Sequence, residues 1–177
     1  MPAPVVKCLV WDLDDTLWRG TLLEDPEVTV DPRAIEVVHE LDRRGILNSI
    51  ASRNDEALAL ARLREAGLDE YFLYPQINWN AKDVSVKAIA EALNVGTDAL
   101  AFVDDQDFDR AEVAFTFPEV RCYSPRDLGT LLDLPDFRPP FVTPDSARRR
   151  LMYLADARRN REETAFEGPK EEFLASL

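Results

Sequence analysis

Short, nearly continuous apolar runs recur along the chain, each followed by a stretch whose apolar positions repeat at helical spacing. Val5 to Trp11, Ile46 to Ala51, Leu100 to Val103 and Val120 to Tyr123 are such runs, and apolarity without alternation marks strands buried on both faces. Tyr71 to Tyr74 is expected to be a further short strand. Asp31-Pro32 can cap and begin a helix that continues to Arg44, with Ile35, Val38 and Leu41 on its apolar stripe and Gly45 as its stop. The spacing predicts a second helix over Asp55 to Ala66, closed by Gly67. A third runs over Asp83 to Leu93 with Val86, Ile89, Ala90 and Leu93 inward. Shorter helices are expected over Phe108 to Phe115 and Pro125 to Leu132. Strand and helix signals thus alternate, which is the pattern of a mainly parallel sheet covered by helices on both faces. The expected fold is an α/β, Rossmann-like three-layer sandwich. Residues 17 to 30, with Gly20 and Pro26 among short apolar pieces, read as a small hairpin or flap.

The 177 residues suit one domain with a sizeable core. We divide them into a catalytic core over residues 1–134, a proline-rich linker over 135–144 and a helical tail over 145–177 packed on the core. Pro135, Pro139, Pro140 and Pro144 make the linker stiff and place it on the surface. The tail is expected as a polar helix from Asp145 to about Arg161 and a short amphipathic end, Lys170 to Leu177.

With 46% apolar and 31% charged residues, the chain has the composition of an ordinary globular protein. A net charge of −13 argues against a nucleic-acid backbone as partner. No apolar stretch approaches the roughly 20 residues a membrane helix needs, and Met1-Pro2-Ala3-Pro4 lacks the regions of a signal peptide. We therefore expect a cytoplasmic location. Cys8 and Cys122 lie in separate strand-like segments, as core thiols of a reducing compartment do. Residues 145–161 hold six arginines and two aspartates, a local balance of +4 against the acidic whole.

The chemistry concentrates where two apolar runs end in carboxylates. Asp12, Asp14 and Asp15 follow the first run, and Asp104 and Asp105 follow Leu100 to Val103. Open parallel sheets bind ligands at the carboxyl ends of their strands, so Asp12, Asp14, Asp104 and Asp105 can share one site. Carboxylates gathered so closely do not all stay ionised without a counter-ion. Mg²⁺ suits an all-oxygen site and keeps room for phosphate oxygens. If the strand stays extended through its end, residues 12, 14 and 16 face one side, and two carboxylates and the Thr16 hydroxyl meet one ligand. Asp12 can then attack phosphorus. Asp14 can protonate the leaving oxygen and later activate water.

Asp12-Leu13-Asp14-Asp15-Thr16 resembles the D-x-D-x-T first motif of the haloacid dehalogenase superfamily of phosphotransferases. Ser52, at the end of the second run, resembles the second-motif hydroxyl that holds the transferring phosphoryl group. Arg53 and Asn54 complete that segment and are expected at the substrate. Lys82 resembles the third-motif lysine, with Lys87 a weaker candidate inside the helix, and Phe102-Val103-Asp104-Asp105 resembles the metal-holding fourth motif. The resemblance implies an aspartyl-phosphate on Asp12 and Mg²⁺ held by Asp12, the Asp14 carbonyl and Asp104 or Asp105. The intervals between motifs are too short for an inserted lid domain, so the fold is expected to be capless and the site open.

The segments DLDDTLW, INWNAKDVSVKAIAEALNV, FVDDQDFDRAEV, RRRLMYLADARRNREE and EEFLASL are similar to the FkbH-like branch of polyketide biosynthesis. That resemblance implies that 1,3-bisphosphoglycerate is dephosphorylated and its glyceryl group loaded onto an acyl carrier protein. Such carriers are acidic, so Arg148, Arg149, Arg150, Arg158 and Arg159 become a candidate docking face. Cys8 matches a family cysteine considered as an acyl carrier, although it lies about 13 Å down the strand from Asp12 and reads better as a core thiol. A stand-alone capless phosphatase is the alternative, and a vestigial docking module a third. Trp18 and Trp79 either line the mouth of the site or serve packing. His39, the only histidine, is expected on the first helix in a surface or half-buried role rather than in catalysis.

Overall fold

The computed structural model describes residues 4–176, with side chains described through residue 163. Five parallel strands form the sheet: β1 (Cys8–Trp11), β4 (Leu47–Ser52), β5 (Gln76–Ile77), β6 (Leu100–Val103) and β7 (Arg121–Tyr123). Their order is β5-β4-β1-β6-β7, and every adjacent pair is parallel. The chain builds outward from β1 in one direction and then returns to build in the other. The switch point therefore falls between β1 and β6, where the helices leaving the strand ends diverge and open a crevice. A separate antiparallel pair, β2 (Trp18–Arg19) and β3 (Thr29–Val30), forms the flap expected over residues 17–30.

Helices α1 (Pro32–Arg43), α2 (Glu56–Glu65), α3 (Lys82–Leu93), α4 (Asp107–Thr116) and α5 (Leu128–Leu131) cover the sheet. Side-chain alternation along β1 splits the core in two. Leu9 and Trp11 join the layer containing Val38, Leu41 and Leu63, while Cys8 and Val10 join the layer containing Val86, Ile89 and Val113. Asp31 caps α1 through Arg33 N, and Asp55 caps α2 through Leu58 N.

Three expectations need correction. Tyr71 to Tyr74 is not a strand: Asp69–Tyr71 is a tight helical turn, Tyr74 has a left-handed backbone with φ 48°, and pairing resumes at Gln76. The linker is not wholly a surface crossing, because Phe137 is fully buried and the Arg44 guanidinium donates to both the Leu132 and Phe137 carbonyls at 2.9 Å. Its first residues therefore belong to the core. The tail is one helix, α6 (Arg149–Ser176), rather than two pieces. The side chains of its expected amphipathic end, Lys170 to Leu177, lie outside the described residues.

The tail docks against the turn after α1. Gly45 has φ 78°, and a Cβ there would lie 3.1 Å from Ser146, so the turn needs glycine for both conformation and approach. Arg149 donates to the Gly45 carbonyl at 2.9 Å. Arg150 pairs with Asp42 at 2.9 Å, donates to the Glu70 carbonyl at 3.1 Å and lies 4.4 Å from the Tyr71 ring. Replacing Arg150 by Ala removes all three contacts and is expected to cost about 2 kcal/mol. Urea unfolding checks this, and an unchanged midpoint would refute the anchoring role.

Candidate active site

The site forms at the carboxyl ends of β1 and β6, where the register brings their last residues side by side. Trp11 pairs with Val103, and Asp12 N donates to the Val103 carbonyl at 3.0 Å. Asp12 and Asp104 follow directly and are both buried. Lys82, the first residue of α3, points its ammonium between them, with Nζ 3.0 Å from Asp12 Oδ1 and 2.7 Å from Asp104 Oδ2. Lys82 is only 2% exposed. Its backbone N–H donates to Glu112 of α4, fixing the start of the helix at 3.1 Å. Lys87 is exposed farther along α3, so Lys82 is the lysine at the cluster.

Burial and charge set the electrostatics. Burial raises the Asp12 pKa to about 8, the Asp104 charge adds to the rise and Lys82 opposes it. The Asp104 pKa is also raised, chiefly by burial and against the pull of Lys82. For Lys82, burial works to lower the pKa, but the two facing carboxylates outweigh it and the net direction is up. The ammonium thus stays charged, while one lysine cannot neutralise all the carboxylates around it, which favours their protonated forms unless a further cation is bound.

The donor set fits a hard cation. Asp12, Asp104 and Asp105 each offer an oxygen within 4.8 Å of the others. Such a cation takes oxygen ligands, of which carboxylates are the usual protein source, so these three residues would hold it. Asp14 offers no carboxylate to this group. Its Oδ1 accepts from Trp18 Nε1 at 2.9 Å and Leu22 N at 3.0 Å, and its Oδ2 accepts from Asn54 Nδ2 at 3.1 Å.

The reason is a turn that the sequence did not signal. The chain does not stay extended after Asp12 but coils through one wide turn, Leu13–Leu17, in which Asp15 is left-handed with φ 54°. Aspartate tolerates that conformation better than most residues. The alternation expected for residues 12, 14 and 16 is therefore lost. Asp15 instead bonds Gly20 twice, at the root of the flap. The Thr16 hydroxyl bonds within the protein: its Oγ1 accepts from Asp105 N at 3.1 Å and donates to Asp105 Oδ1 at 3.3 Å, strapping the two acidic loops together.

The remaining expected residues divide. Ser52 is buried at the end of β4, next to β1. Trp18 is 1% exposed and belongs to packing, its indole N–H being used on Asp14, whereas Trp79 is 67% exposed on the loop after β5. Cys8 is fully buried and burial pushes its pKa far above the ordinary thiol range, which favours the core-thiol reading. His39 is exposed on α1, as expected.

Of the candidate docking arginines, Arg149 and Arg150 are anchors of the tail. Arg158 pairs with Glu70 at 3.3 Å and Arg159 with Asp156. Arg148 is exposed. Sequence reasoning missed Asp109, a carboxylate 4% exposed on α4 that pairs with Arg53 at 2.8 Å and stands 4.0 Å from Lys82 Nζ. The signal was available: Asp109 and the buried Val113 are four residues apart on one helix stripe.

No protein-family model matches the chain, and no curated protein does. Solved structures do. The N-terminal part of BF1531 from Bacteroides fragilis, which contains a phosphatase domain and was crystallised with Mg, is 25% identical with a TM-score of 0.63, over 85% of this chain and 40% of that one. The chain thus spans well under half of that structure. The cobalt-bound deoxy-D-mannose-octulosonate 8-phosphate phosphatase YrbI from Haemophilus influenzae is 16% identical with a TM-score of 0.52, over 67% of this chain and 68% of that one. A haloacid dehalogenase-superfamily hydrolase from Ehrlichia chaffeensis is 13% identical with a TM-score of 0.53, over 68% of this chain and 87% of that one. Among the described residues no helix is long and apolar enough to cross a membrane. The parallel sheet, its strand order and these likenesses give the chain the haloacid dehalogenase-like fold, and two of the three neighbours are described as phosphatases or as containing a phosphatase domain.

Proposed function

We propose that the protein is a Mg²⁺-dependent phosphotransferase or phosphatase that works through an aspartyl-phosphate on Asp12. The observation that carries this reading is the buried ammonium of Lys82 between Asp12 and Asp104, with Asp105 close enough to complete an oxygen cage. Mg²⁺ held by Asp12, Asp104 and Asp105, with the Asp14 carbonyl nearby in the chain, would neutralise the oxygens of the phosphoryl group.

Lys82 fixes Asp12 by its Oδ1, which leaves Oδ2 to approach phosphorus. A new Asp12 O–P bond forms as the bond from phosphorus to the leaving oxygen breaks. Asp14 delivers a proton to that oxygen, then takes one from the water that attacks the phosphoaspartate and releases phosphate. Trp18, Leu22 and Asn54 hold the Asp14 carboxylate in place for both steps. Ser52, at the neighbouring strand end, is assigned to the phosphoryl oxygens.

The finer form of the proposal comes from the sequence resemblance. It takes 1,3-bisphosphoglycerate as substrate and an acyl carrier protein as acceptor of the glyceryl group. The open site supports it, since the chain between Asp12 and Ser52 supplies only the flap and α1. Intact-mass analysis of a phosphopantetheinylated carrier, incubated with the protein, Mg²⁺ and 1,3-bisphosphoglycerate, tests it. Phosphate release with no gain in carrier mass would leave the plain phosphatase as the function.

Three outcomes are expected for the chemistry itself. Asp12→Asn lowers phosphate release by about 10³-fold or more while thermal unfolding stays cooperative, and chelation by EDTA does the same to the parent. Asp14→Asn slows turnover by about 10²- to 10⁴-fold. Under acid quench it leaves more phosphate on the protein when breakdown of the intermediate becomes limiting. Near-normal release by Asp12→Asn would remove the nucleophile assignment.

A further inference from the structure

The buried carboxylate of Asp109 has two cationic neighbours. Its Oδ1 accepts from Arg53 NH2 at 2.8 Å, and its Oδ2 stands 4.0 Å from the Lys82 ammonium. A carboxylate taken out of water is costly unless paired, and Asp109 is held by one cation from the catalytic cluster and one from the loop after β4. Arg53 immediately follows Ser52. Its side chain is 40% exposed, and among the described residues it makes no hydrogen bond besides the one to Asp109. A guanidinium carries five N–H donors in a planar fork, so most of the fork is unused at the lip of the site. Arg110, the neighbouring guanidinium on α4, differs: it is spent on the Asp104 carbonyl at 2.6 Å and on Asp107.

Resting on the proposed phosphoryl transfer, we propose that Arg53 is a specificity-determining residue that grips a second anionic group of a small phosphorylated substrate, with Asp109 as the positioning residue that aims it. The substrate class is a short molecule with the transferring phosphoryl at one end and a carboxylate or a second phosphate at the other. Both groups accept two parallel bonds from a guanidinium. Asp109 ties that grip to the cluster, because the same carboxylate that holds Arg53 also faces the lysine steadying the nucleophile. Lysine at position 53 would keep the charge and lose the fork.

The test uses three probes: ethyl phosphate, phosphoglycolate and ethylene glycol bisphosphate. They share a short carbon skeleton and differ in bearing a methyl group, a carboxylate or a second phosphate. The intact protein with Mg²⁺ is expected to favour at least one doubly anionic probe over ethyl phosphate by about tenfold or more in kcat/KM. Which one it favours identifies the second group. Arg53→Gln is expected to bring that ratio close to one, chiefly through KM, with Arg53→Lys recovering part of it and Asp109→Asn lowering it. A role confined to the fold would depress all three probes together and leave the ratio standing.

A parent ratio near one, or a ratio that survives Arg53→Gln, overturns the proposal while phosphoryl transfer stands. No phosphate released from any probe, with or without Mg²⁺, would strike the proposed function and this inference with it.

Discussion

Lys82 is an ammonium in a place where water cannot solvate it, and much of the molecule is arranged around that fact. Its charge needs anions, and the buried Asp12 and Asp104 need a cation, so each side of the contact makes the other tolerable. Removing one partner of such a pair typically costs about 3–5 kcal/mol because a bare charge is left behind. The contact also requires three separate chain segments to meet. β1 and β6 must be neighbours in register for Asp12 and Asp104 to adjoin, and α3 must begin at the residue whose side chain reaches between them. Glu112 on α4 pins that beginning through the Lys82 backbone N–H. The switch in strand order supplies the space for all of this.

One lysine does not balance the carboxylates it faces. Asp12, Asp104 and Asp109 all lie within 4.0 Å of Nζ, and Asp105 is a neighbour of the first two. The excess is absorbed by protonation, as the raised pKa of Asp12 indicates, or by a divalent cation. The second acidic loop is held ready for the latter: Gln106 N donates to Asp104 Oδ1 at 2.9 Å, and Thr16 straps Asp105 from the opposite loop. Asp14 is handled differently. It is tied to the flap and to the loop after β4 by three N–H donors, so the residue proposed as general acid-base belongs mechanically to the flap while the proposed nucleophile belongs to the sheet.

Where hydrophobic period decided structure, the sequence was readable. β1 and β6 are apolar throughout and β4 is buried along its whole length despite Asn48, Ser49 and Ser52, while the stripes of α1 to α4, with side-chain caps on the first two, fix their limits within a residue or two. The failures occur where a single conformation or partner overrides period. Nothing in Leu13 to Leu17 announces that Asp15 turns left-handed, and that one residue decides where Asp14 and Thr16 point. Phe137 lies among prolines, yet its ring fills the core beside Tyr123, 5.6 Å between centroids. The arginines of the tail were legible as charge, but Asp42 and Glu70, which engage Arg150 and Arg158, are 108 and 88 residues distant. The carboxylates at the strand ends were readable because topology alone carries them to one place. Asp109 was not, because an acidic residue in an acidic helix looks like a solvated face until its register with Val113 is counted.

The same strand geometry limits what could accept a group from Asp12 under the proposed chemistry. Alternation along β1 turns Cys8 into the layer under α3 and α4, where it is sealed among Val10, Val86, Ile89 and Phe102. A thiol there has no route to phosphorus or to an acyl group and is held protonated by burial. Cys122, the other thiol, lies in β7, and burial raises its pKa to about 11. Neither cysteine is therefore placed to carry an intermediate as a thiolate. On the proposed reading an acceptor enters from outside, at the side of the cluster where Arg53 is partly exposed. With no inserted domain over the crevice, the proposed chemistry leaves the discrimination between acceptors to the flap that holds Asp14 and to side chains such as Arg53.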